Sequence, residues 1–191
     1  MSPHEIRRDA VFSRVGPRLL RHRLDRWWGN GARILICMAN PSSADGDGDD
    51  PTIRRLLRLT DRPHLSGFTV VNAWPYVAAR PPELRRWLEA MLRRRRREHA
   101  AICAANLALI RELSRSAAIR IIAWGKLAPP AELRGETLRA MSLDGAHDLH
   151  AFGLTRDGSP IHPMARGTNR LADDAEIMLW MKADRAAKPK E

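Results

Sequence analysis

The chain has 191 residues, is 44% hydrophobic and carries 33 Lys and Arg against 22 Asp and Glu, a net charge of +11. That length suits one well-buried domain, and no run approaches the ~18 apolar residues of a membrane-spanning helix, so no membrane is expected as a partner. The charge points to polyanions, nucleic acid above all, although only Lys126, Lys182, Lys188 and Lys190 are lysine, an arginine bias that coding-sequence composition also produces.

Residues 1–17 read as an irregular lead-in, 18–182 as a single α/β domain and 183–191 as a charged tail. No signal-peptide apolar core opens the chain, so the expected location is cytoplasmic. Leu19–Trp28 alternates like a half-exposed strand, and Gly29-Asn30-Gly31 predicts a hairpin into the next strand, 33–39. Ile34–Met38 is continuously apolar, as a strand buried on both faces is. It stops at Asn40-Pro41, and Ser42, Ser43 and Asp45 line the loop that follows. The acidic stretch 45–50 lacks the twelfth-position Glu of a calcium loop and is interrupted by Pro51. Asp50 reads instead as the N-cap of a helix with Pro51 at its first position and Ile53–Leu59 along it. No metal or other cofactor is implied.

Leu65–Asn72 is the next strand, followed by Ala73-Trp74-Pro75-Tyr76. A helix starts at Pro81-Pro82 and leads into the basic run Arg93, Arg94, Arg95, Arg96 and Arg97, with a second amphipathic helix over 98–114. Strand 118–123 ends at Trp124-Gly125, helix 130–141 follows, and a weaker strand covers 147–152. A turn at 155–158 leads to His162-Pro163 and Met164-Ala165-Arg166, and 169–181 reads as a closing helix with Leu171, Ala175, Met178 and Leu179 inward. Cys37 and Cys103 sit in apolar contexts and read as buried free thiols.

Strands alternating with helices predict a three-layer α/β sandwich. Its central sheet would be mostly parallel and four-stranded, with helices on both faces and an N-terminal hairpin strand. Ligands in such sheets bind beyond the carboxyl ends of the strands. The endings Asn40-Pro41, Asn72, Trp124-Gly125 and His162-Pro163 would converge on one rim.

The motifs Asn40-Pro-Ser-Ser-Ala-Asp45, Asp49-Asp-Pro-Thr-Ile-Arg-Arg55, Val70-Val-Asn72, Ala123-Trp-Gly125 and Pro160-Ile-His-Pro163 resemble a bacterial family described only as a domain of unknown function. Their order and spacing are also distantly similar to the uracil-DNA glycosylase superfamily. That resemblance implies a DNA glycosylase-like hydrolase, with Asn40 positioning water, Asn72 reading a base, His162 stabilising the leaving group and Met164 or Arg166 as the wedge. The sequence departs from the superfamily at Met164, where a Ser is usual, at Ser42-Ser43, and in the inserted segment 153–159.

The chemistry is coherent without the resemblance. Asn40 or Asp45 can hold a water, His162 can donate to a departing base, and Asn72 can make a bidentate contact with a base edge. Trp74, Tyr76 or Trp124 can stack a flipped base, and Ser42, Ser43, Met164, Arg166, Arg170 and the Arg93–Arg97 run can contact DNA. Each residue also has a structural reading: Asn40 as a turn cap, His162 as a packed loop histidine, Trp124 as core. The expectation is a monomeric enzyme that hydrolyses the N-glycosidic bond of a damaged or modified base. The alternatives are a nucleotide or small-molecule hydrolase with Asp45 as general base, and a non-catalytic nucleic-acid-binding module.

Overall fold

A computed structural model describes residues 5–78 and 80–184. Among them, seven strands form one mixed sheet: β1 (Arg7–Val15), β2 (Arg18–Trp27), β3 (Ala32–Met38), β4 (Leu65–Asn72), β5 (Ile119–Ile122), β6 (Leu149–Ala151) and β7 (Met178–Met181). Their order is β1-β2-β4-β3-β5-β6-β7. The four strands expected from the sequence are adjacent and mutually parallel in the order β4-β3-β5-β6. The sheet is nevertheless not four-stranded, because antiparallel strands extend it on both sides.

The hairpin differs too. Residues 7–15 are not an irregular lead-in but strand β1, which pairs antiparallel with β2 across Gly16-Pro17. Gly16 has φ +56, a left-handed value that glycine adopts without a Cβ penalty. β2 then pairs with β4 rather than with β3. The Gly29-Asn30-Gly31 turn therefore carries the chain past β4 to its far neighbour. Nor is β2 the half-exposed alternating strand expected: Leu20-Arg21 and Leu24-Asp25-Arg26 are buried and the rest half-buried, so both its faces are covered, and the sequence pattern said nothing about its partners.

β3 divides its side chains between two cores, as a strand covered on both faces must. Ile34, Ile36 and Met38 join a cluster with Ile53, Leu56 and Leu59 of helix α1 (Pro51–Leu59). Leu35, Cys37 and Ala39 join a second with Ile110 of α3 (Arg96–Ser116) and Ala140 and Met141 of α4 (Ala131–Ser142). The helices thus cover both faces. A third, smaller cluster joins Leu20 and Tyr76 to Leu84 of α2 (Pro81–Arg94). Helix α1 starts as its sequence dictates: Asp50 Oδ1 accepts the Ile53 amide at 2.9 Å and Pro51 occupies the first turn. Both cysteines are free. Cys37 is buried and Cys103 only half-buried.

The closing helix expected at 169–181 does not form. Residues 167–169 make a single 3-10 turn, the chain then runs irregularly, and Met178–Met181 is strand. Arginines on and just beyond α1 take the carbonyls that a helix would have used. Arg55 donates to Leu171 O at 2.8 Å and Ala172 O at 2.7 Å, and Arg62 to Asp174 O and Ala175 O. Arg55 also meets the Asp173 carboxylate. The expected tail at 183–191 lies outside the described residues from 185 onward, as do residues 1–4 of the expected lead-in. Among the described residues, no helix is long and apolar enough to cross a membrane.

Candidate functional site

Parallel pairing brings the ends of the central strands to one rim. Met38 pairs with Asn72, and Cys37 with Ile122, so Asn40, Asn72 and Trp124 follow adjacent strand ends. His162 reaches the same rim through Gly125. A Cβ on that glycine would lie 2.6 Å from the His162 Cβ, and its φ is +62, so close approach and backbone both require glycine.

His162 is mostly buried, and its Nδ1 accepts the Met164 amide at 3.1 Å. Burial pulls its pKa below the ordinary histidine value, partly offset by the Asp50 carboxylate. A neutral imidazole whose Nδ1 is an acceptor carries its proton on Nε2. The site therefore holds an Nε2–H donor.

Asn40 is fixed differently. Its Nδ2 donates to Pro41 O at 3.0 Å and to Ala78 O at 2.9 Å. Two carbonyl partners settle the amide orientation and consume both N–H donors, so Oδ1 is what Asn40 can offer a water. The turn-cap reading and the water-holding reading are thus compatible.

Asn72 is 1% exposed. Its Oδ1 accepts from Arg21 at 3.3 Å, while its Nδ2 is buried without a protein partner. Arg21 also donates to Ala44 O at 2.9 Å in the loop after β3. Burial lowers the Arg21 pKa to about 10, with Asp50 opposing the fall. Asp50 therefore acts electrostatically on both Arg21 and His162, besides capping α1. Sequence reading assigned Asp50 only a capping role and gave Arg21 none. The available signal was charge: an arginine-bearing strand faces an acidic loop.

That loop is held by Arg26, which is fully buried. It donates to Asp49 Oδ1 at 2.6 Å, Asp45 O at 2.7 Å and Gly48 O at 3.0 Å. The acidic stretch is thereby accounted for as the counter-charge and carbonyl cradle of a buried guanidinium. Asp45 itself is exposed, and its Oδ1 accepts the Asp47 and Gly48 amides at 2.9 and 2.7 Å. Those amides hold its carboxyl below the usual range. Among the described residues, no group of three or more His, Cys, Asp or Glu is placed to hold a metal.

The aromatic candidates divide. Tyr76 is packed under α2 and α3, its hydroxyl 2.8 Å from His99 Nδ1 and its ring 4.0 Å from that of Trp87. Burial pushes its hydroxyl pKa upward. Trp124 is a core residue, edge-on to Trp180 at 6.3 Å, although it also lines a cleft described below. Trp74 is half-buried beside the Asn40 turn, its amide donating to Ala39 O. Ser42 is half-buried and Ser43 exposed in the loop beyond Asn40.

Two clefts meet along residues 164–166. One, of about 340 Å³, is lined by Trp124, Gly125, Lys126, His162 and Asn169 among others. The other, of about 520 Å³, is lined by Arg55, Arg58, Arg170 and Asp173. Met164, Ala165 and Arg166 line both. Met164 is 40% exposed on the shared ridge. Arg58, Arg166 and Arg170 are exposed, and their side chains make no hydrogen bond or ion pair among the described residues, although Arg58 and Arg170 lie near enough to the Asp173 carboxylate to help hold it below the usual range. The Arg93–Arg97 run lies elsewhere, exposed at the corner between α2 and α3. Arg94 and Arg95 border a separate depression with Val15 and Trp87.

No curated protein and no solved structure matches the chain. The model of one family, described as "Protein of unknown function (DUF1643)", matches residues 21–164. The matched stretch runs from Arg21 in β2 to Met164 on the ridge and takes in Asn40, Asp50, Asn72 and His162 between them. The chain belongs to the DUF1643 family.

Proposed function

We propose that the protein is a DNA-binding, glycosylase-like hydrolase that cleaves the N-glycosidic bond of a damaged or modified base. The observation that carries this reading is the shared ridge: Met164–Arg166 lines a cleft rimmed by exposed arginines and another that holds His162. Phosphates would sit against Arg58, Arg166 and Arg170, taking the place of the weaker attraction that Asp173 exerts on Arg58 and Arg170. The exposed Met164 side chain stands between the two clefts, where an apolar wedge fills the space of an extruded base.

Roles for the remaining residues follow from their hydrogen bonds. The water oxygen bonds to the anomeric carbon as its bond to the base nitrogen breaks, negative charge develops on the departing base, and the water's proton ends on that base or in solvent. A neutral His162 donating from Nε2 would stabilise that charge. Asn40 Oδ1 would accept a hydrogen bond from the attacking water, and the unpaired Nδ2 of Asn72 would donate to an acceptor on the base edge. Asp45 has no part in this scheme, because its carboxylate ties the loop. The order of these motifs along the chain is distantly similar to that of the uracil-DNA glycosylase superfamily, and that resemblance supports the reading.

A second reading has one observation in its favour. The cleft beside His162, at about 340 Å³, suits a nucleotide-sized ligand without any attached strand. Salt dependence separates the two. DNA binding should weaken steeply with ionic strength, and Arg166→Ala with Arg170→Ala should flatten the log–log slope by about two units, one per phosphate contact. A slope unchanged by both substitutions would favour the free nucleotide.

A further inference from the structure

We propose that two copies of the chain associate through β7, pairing antiparallel about a two-fold axis at Leu179 so that the two sheets become continuous. This interface is independent of the reaction assigned to the rim. The two outer strands of the sheet are built differently. The β1 edge carries Arg7, Arg8, Asp9 and Arg14, the kind of charged edge that resists pairing with another chain. β7 is Met-Leu-Trp-Met, with no charge in the strand. Its side chains are unusually bare for such a sequence: Met178 is 42%, Leu179 48% and Met181 43% exposed. Only Trp180 turns inward, onto Trp124 and Gly158 O. β6 occupies one side of β7, and no described strand occupies the other.

Charge selects the occupant and the register. A two-fold axis perpendicular to an antiparallel pair places one residue opposite its own copy, so residues equally far before and after it oppose each other. With Leu179 on the axis, Glu176 of one copy faces Lys182 of the other, and the pairing occurs twice. Both side chains are exposed. Centring on Met178 or Trp180 instead would leave Glu176 opposite Trp180 or Asp184. A second copy is therefore complementary to this edge in both its apolar centre and its charged flanks.

A charge exchange on the full chain tests both partner and register. Sedimentation equilibrium of the wild type should show a reversible dimer. Glu176→Lys sets Lys against Lys at both flanks and Lys182→Glu sets Glu against Glu. Each should weaken the dimer roughly tenfold, while an equimolar mixture of the two recovers it, since both flanks are then complementary. Leu179→Arg should leave a monomer of unchanged thermal stability. A wild type that is monomeric up to about 0.5 mM would overturn the proposal. So would a dimer indifferent to these substitutions, or single variants weakened with no recovery on mixing.

Discussion

The proton that His162 can give away is set by a backbone amide two residues on. Because Met164 N–H occupies Nδ1, the donor is Nε2, and burial keeps the ring neutral where an exposed histidine would begin to charge. Asn40 is decided in the same way, by two carbonyls that leave only its Oδ1 for a water. Asp45 shows the opposite case. One of its two oxygens, Oδ1, is engaged by the Asp47 and Gly48 amides and ties the loop, which is the role the proposed scheme gives it. Asp45→Asn should lower the melting temperature slightly and leave turnover as it is, measured on any established substrate. A loss of turnover larger than that of Asn40→Ala would restore Asp45 as the proton acceptor.

Among the elements, β2 does more for the rim than its half-polar sequence suggests. Arg21 bridges Asn72 to the loop after β3, and Arg26 gathers three groups of residues 45–49 around one guanidinium. Arg26→Met would leave Asp49 with Arg8 alone and take the donor from the Asp45 and Gly48 carbonyls. It should cost about 3 kcal/mol in chemical denaturation, well above an exposed arginine substitution. The same strand marks where sequence reading ran out. Hydrophobic period and Pro or Gly punctuation located β3, β4, β5, β6 and the Asp50-capped helix, because those signals are local. They could not assign β2 its partners, since a strand's own pattern reports which of its faces are covered and not which strand hydrogen-bonds beside it. They also misread 169–181, where Leu171, Ala175, Met178 and Leu179 keep a helical spacing. Guanidinium groups of Arg55 and Arg62, distant in the chain, claim that segment's carbonyls.

For the whole molecule, the large positive charge is distributed in two ways. Part of it is internal: Arg21, Arg26, Arg55 and Arg120 are buried and hold loops and helix ends through backbone carbonyls. Part is external, in the exposed arginines of the ridge cleft and in the separate run at the α2–α3 corner, where Arg95 is paired with Glu98. Net charge alone could not tell these apart, and only exposed arginines can meet a phosphate. The neighbouring ends of β3 and β4 at Asn40 and Asn72 were legible, since parallel strands must finish on the same side, whereas His162 ends no strand and comes beside the end of β5 only through Gly125. The contributions of Arg21 and Asp50 were not legible, because they arise from tertiary packing of β2 against the acidic loop. The most direct test is to incubate DNA carrying a panel of modified bases with wild type and with His162→Ala, and to count abasic sites. Abasic sites should form at one class of base, and His162→Ala should reduce their rate roughly ten- to a thousandfold while DNA affinity stays nearly unchanged. Binding of the whole panel without a single abasic site, or cleavage that His162→Ala leaves intact, would contradict the assignment.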